Sequence, residues 1–142
     1  MTGPTARGAT VRQGERLKAW RPLPAEARRD AFEAALEAWA QGDYFETHEL
    51  LEPAWMGTDD PAERALHQGL IKLAAGFVHA VRGNPRGLAK NLEGARRHLA
   101  GAMPAAETYG LDVTRILADI DAILADPGRS PRPPIIRRTT PA

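Results

Sequence analysis

The chain has 142 residues, 43% of them hydrophobic and 26% charged, a composition that suits one soluble globular domain. It contains no cysteine, which excludes disulfides, thiolate nucleophiles and cysteine-ligated zinc. The formal net charge of +1 hides an asymmetry: residues 1–29 hold seven Lys/Arg against two Glu, and residues 128–142 hold four Arg and no acid. The stretch between them carries sixteen acids against eight Lys/Arg, an acidic domain between two basic tails. Basic tails can touch nucleic acid, but no recognition motif and almost no aromatic residue accompanies these, so nucleic-acid binding is disfavoured. No apolar h-region and no long apolar run is present, so the sequence reads as cytoplasmic, without membrane insertion.

In chain order, residues 1–22 are rich in Gly, Thr and Arg without a sustained period and read as a disordered basic tail. The domain is expected over residues 23–126. A first helix follows Pro24 through AEARRDAFEAALEAWAQ, with Phe32, Leu36 and Trp39 at helical spacing and Gly42 as its stop. Asp43 is a good N-cap for a second helix, YFETHELLEPAWM, in which Pro53 frees the carbonyl of Glu49 and predicts a bend or early end. Asp60 and Pro61 open a third helix, AERALHQGLIKLAAGFVHAVR, which Gly83 and Asn84 end. A fourth, PRGLAKNLEGARRHLAGAM, and a last one from about Leu111 complete the set, and residues 127–142 read as a disordered Pro/Arg-rich tail. No strand pattern appears. The fold class is therefore all-α, a bundle of about five helices packed as antiparallel pairs.

Candidate chemistry lies on the second and third helices. With His48 at zero on a wheel of about 100° per residue, Glu52 falls at about 40° and Trp55 at about −20°. Tyr44, Phe45 and Leu51 flank them, so two polar groups stand in the apolar face, with Glu49 at its edge. A buried carboxylate needs a partner or a raised pKa. On the third helix Gln68, Lys72, Ala75 and His79 share one narrow stripe beside the small residues Ala65, Gly69 and Gly76. Laying the His48/Glu52 face on that stripe would enclose one polar pocket.

The segments GDYFETHELLEPAW and HQGLIKLAAGFVHAVRGNPRG resemble the domain of unknown function 309 family, a set of small all-helical proteins, over about residues 30–103. The resemblance implies the all-α fold and marks His48, Glu49, Glu52, Trp55, Gln68 and His79 as motif positions. It implies no established activity.

Three readings of the pocket compete. In the first, His48, Glu52, Gln68, Lys72 and His79 form a structural hydrogen-bond network, with Lys72 neutralising Glu52. In the second, His48, Glu52 and His79 bind a divalent metal, Glu49 or Gln68 orients water, and Glu49 and Glu52 are the catalytic candidates of a hydrolase, since His48-Glu49-x-x-Glu52 is a variant of the zinc helix His-Glu-x-x-His. Lys72 on the same stripe would repel a dication. In the third, Tyr44, Phe45 and Trp55 contact a small molecule or peptide that Glu52 and His79 orient. His67, about 100° off the stripe, and His98 are weaker candidates. The apolar third helix also leaves a homodimer open.

Overall fold

The computed structural model describes residues 10–13, 16–19 and 21–139, with side chains from Arg21 onward. Expectations for residues 1–9, 14, 15, 20 and 140–142 lie outside the described residues. Two short strands, β1 (Thr10–Gln13) and β2 (Arg16–Ala19), pair antiparallel, with Thr10 opposite Ala19 and Gln13 opposite Arg16. They lie within the segment that the sequence reads as mostly disordered tail. Four-residue strands are too short for a period-two pattern to stand out.

Six helices follow among the described residues: α1 (Ala25–Ala40), α2 (Tyr44–Met56), α3 (Pro61–Val81), α4 (Pro85–Ala100), α5 (Met103–Tyr109) and α6 (Val113–Ala125). The packed domain is all-helical, as expected, with one helix more than the five the sequence predicts. The extra helix, α5, has only seven residues, two turns that carry no readable periodicity. The expected caps hold. Asp43 accepts from the Glu46 amide at 3.1 Å and Asp60 from the Glu63 amide at 2.8 Å. Gly42 (φ 78°) and Gly83 (φ 72°) take the left-handed conformation that ends α1 and α3. Pro53 sits inside α2, which continues to Met56 rather than stopping.

α3 is the central helix and packs against α2, α4 and α5, while α1 covers α2 and α4 meets α6. The core runs through Phe32, Leu51, Leu66, Leu73, Phe77, Leu88, Leu92, Leu99, Ile116 and Ile120, each buried. Gly69 sets the α3–α4 approach: a Cβ there would lie 2.6 Å from Leu99 Cγ. No described helix is long and apolar enough to cross a membrane.

The C-terminal segment is ordered where the sequence reads as disordered tail. Trp39 Nε1–H donates to the Pro134 carbonyl at 2.9 Å, and Pro134 is buried. Arg138 grips Glu33 with two hydrogen bonds of 2.8 and 3.0 Å and donates to the carbonyls of Tyr109 and Gly110. Thr139 N donates to Gly110 O at 2.8 Å and Asp112 N to Arg137 O at 2.9 Å. Proline-rich chain has no ladder of its own, but its carbonyls can satisfy donors of the bundle, and here they do.

Candidate functional site

The polar cluster that the fold assembles centres on Glu63, not on Glu52. Asp60 caps α3 so that Glu63 stands in its first turn, and His67 follows one turn later on the same face. Glu63 Oε2 accepts from Arg28 Nε of α1 at 2.6 Å, Tyr109 Oη of α5 at 2.8 Å and His67 Nε2 at 3.1 Å. Arg28 Nη2 reaches Glu63 Oε1 at 3.3 Å, and Arg28 Nη1 donates to the Leu23 carbonyl.

Burial pushes the Glu63 carboxyl up, and the hydrogen bonds from His67, Arg28 and Tyr109 outweigh it, holding the group at about 2. Burial and the Glu63 carboxylate push the Tyr109 hydroxyl up to about 12. The bond to Glu63 raises Arg28. A carboxylate only accepts, so His67 carries a proton on Nε2. Its Nδ1 is buried without a hydrogen-bond partner among the described residues, as is Gln68 Oε1. The His67 ring meets Tyr109 edge-on at 5.6 Å and Phe32 at 6.3 Å. This acid, imidazole and phenol resemble an acid–base set, but Glu63, His67 and Tyr109 are 8%, 0% and 5% exposed, sealed from any substrate.

The residues singled out from the sequence do not converge as expected. On α2, His48 Nδ1 lies 3.2 Å from Glu49 Oε2, and its ring stacks on Phe45 at 6.4 Å, with Phe45 62% exposed. Glu49 and Glu52 line a groove of about 670 Å3 with Pro22, Leu23, Pro53 and Met56. Trp55 is buried beneath the Arg64 guanidinium, 5.1 Å above its ring. Tyr44 packs on Trp39 and Phe77 at 4.8 and 5.6 Å.

Lys72 and His79 face α4 instead. They line a groove of about 640 Å3 with Gly87, Lys90, Asn91, Glu93, Gly94 and Arg97. The small residues Gly69 and Gly76 beside the stripe admit α4, not α2: a Cβ at Gly76 would lie 3.3 Å from Leu92. In place of the predicted single pocket there are two separate grooves, one along α2 and the segment before α1, the other between α3 and α4. A Glu52–Lys72 pair is not what the fold builds, because Lys72 runs along Gly94, where a Cβ would lie 3.4 Å from its Cδ.

Among the described residues no three His, Cys, Asp or Glu side chains group so as to hold a metal ion. His48, Glu52 and His79, the proposed ligands, are divided between α2 and the α3–α4 groove, which removes the donor set from the metal-dependent hydrolase reading. His67 is the residue that the sequence underrates. A wheel anchored on Leu70 instead of Gln68 places Glu63 and His67 within about 60° of the centre of the apolar face.

Fold and site define a small helical-bundle protein with a sealed carboxylate clamp and open grooves, one of them beside its central helix. Residues 32–91 match the family model described as Domain of unknown function (DUF309), in agreement with the resemblance carried by the two motifs. A curated relative, the uncharacterized protein YpuF of Bacillus subtilis (strain 168), is 37% identical over 83 residues, or 58% of this chain and 47% of the relative. The chain thus spans about half the length of that relative. Neither description carries an activity. No solved structure matches the chain.

Proposed function

We propose that this protein is a small-ligand binding module with no chemistry of its own. One contrast carries the reading. The titratable cluster Glu63/His67/Tyr109 is buried and bonded to its own partners, while Lys72 and His79 stand in an open groove. General acid–base work needs a group within hydrogen-bond reach of a substrate, and a network without solvent access serves register and stability instead. An open cleft with a few placed polar groups supports binding.

The test is an amide chemical-shift titration of the full chain against charged small molecules, with product analysis of each mixture. Saturable shifts at Gly87, Asn91 and Gly94 with the ligand recovered intact support the reading. Conversion of a bound ligand, or no saturable shift with any ligand of either charge, would overturn it.

A further inference from the structure

The geometry points to the α3–α4 groove as a binding site for a phosphate group carried by a small molecule, held by Lys72, Lys90, Arg97 and the Nε2–H of His79. This rests on the binding-module reading and names its ligand class.

The first ground is charge. Although the domain as a whole is acidic, Lys72, Arg82, Arg86, Lys90, Arg96 and Arg97 occur in a stretch from 72 to 97 whose one acid is Glu93. Lys72, Lys90 and Arg97 line the groove with that single acid. Arg96, by contrast, faces away and pairs with Asp121 at 2.6 Å. None of the three groove cations forms an ion pair among the described residues. Three cations against one acid leave two positive charges, which matches a phosphate ester of about −1.5 to −2 at neutral pH. The same field is felt next door: after burial, Lys72 and Arg97 push His98 below its ordinary pKa.

The second ground is a donor whose orientation is fixed. Asn84 caps α4, its Oδ1 accepting from the Gly87 amide at 3.0 Å. That bond sets the amide the right way round, so Asn84 Nδ2 donates to His79 Nδ1 at 3.1 Å. Neutral His79 then carries its proton on Nε2, which has no partner among the described residues. Gly87 makes the arrangement possible, because a Cβ there would lie 2.5 Å from His79 Cγ and Nδ1. Gly94 gives the Lys72 stem a similar bed. The cap, the glycine and the histidine together fix one N–H on a residue lining the groove that three cations also line, donors of the kind an oxyanion needs.

The experiment is calorimetric titration of the full chain with inorganic pyrophosphate at low salt, followed by the same titration of Lys72→Gln, Lys90→Gln and His79→Phe. We expect saturable one-to-one binding, weakened tenfold or more in each lysine variant, with thermal unfolding of those variants unchanged. Loss of the His79 donor should weaken binding severalfold. Absence of pyrophosphate binding, or binding the lysine variants leave intact, would overturn the site. Equal affinity for citrate would overturn the phosphate assignment while leaving a binding module. Binding of single-stranded oligonucleotide through these residues without pyrophosphate binding would replace the small molecule by a nucleic-acid backbone. Because the basic ends of the chain attract anions unspecifically, Arg129→Gln serves as control and should bind pyrophosphate like the parent.

Discussion

Arg28 Nε donates to Glu63 Oε2 at 2.6 Å, so the first helix is tied by charge to the first turn of the third. Side-chain exposures of 18% and 11% place this pair where water helps little. Breaking a buried pair by neutralising one partner leaves the other desolvated and uncompensated. Glu63→Gln should therefore lower unfolding stability by about 3 kcal/mol. Urea denaturation measures it, and a loss under about 0.5 kcal/mol would show the pair to be solvated.

The same carboxylate sets an acid limit. Its folded pKa of about 2 lies below the ordinary carboxyl value of 4.5, so between those values the unfolded chain binds more protons. Its stabilisation is present above pH 4.5 and lost as pH falls toward 2, a change of about 3 kcal/mol. Tyr109 works in the other direction. Raised from 10.0 to about 12, it contributes stability that is present below pH 10 and lost as pH climbs through 12. Unfolding curves across pH should show both flanks. Glu63→Gln should flatten the acid one, and Tyr109→Phe the alkaline one.

Two glycines facing the same helix pair should respond oppositely to alanine. Either change gains about 1 kcal/mol of helix propensity. At Gly69 the new methyl would meet Leu99 Cγ and Cδ2 at 2.6 Å and its backbone N at 3.2 Å. Overpacking of that kind costs about 1–3 kcal/mol, so Gly69→Ala should destabilise. At Gly94 the contact is 3.4 Å to the flexible Lys72 stem, and Gly94→Ala should be neutral or mildly stabilising. Parallel thermal melts of the two variants decide the point, and equal melting temperatures would contradict the packing described.

Truncation after Ser130 should cost about 2 kcal/mol and shift tryptophan emission to the red, because it strips Pro134 from Trp39 Nε1. Arg138→Ala alone should cost less than about 1 kcal/mol of ion-pair energy, since both partners are more than a third exposed. Urea melts followed by fluorescence test both. A truncated chain with parental stability and emission would mean the segment does not hold α1.

The residues explain why the fold was more legible than the site. Asp43, Asp60, Gly42 and Gly83 are local signals, each acting within one helix end, and each was found where the sequence put it. Helix faces need a partner before they mean anything. The stripe Gln68/Lys72/His79 is legible as a stripe, but its facing helix is not: the sequence suggests α2, whereas Gly69 and Gly76 receive α4. Glu63 carries no signal in the sequence because its partners, Arg28 and Tyr109, lie 35 and 46 positions away. The C-terminal strap was invisible for a related reason: proline-rich chain has no period, and its purpose lies in the donors of α1 that it satisfies.

That strap also bears on the order of assembly. Trp39 and Pro134 are 95 positions apart, and closing a loop of that size costs about 4 kcal/mol of chain entropy. During synthesis α1 must wait for nearly a hundred further residues before its indole N–H meets its acceptor. The bundle would form first and be sealed last, so a nascent or C-terminally trimmed chain exposes an aromatic edge that the finished one hides.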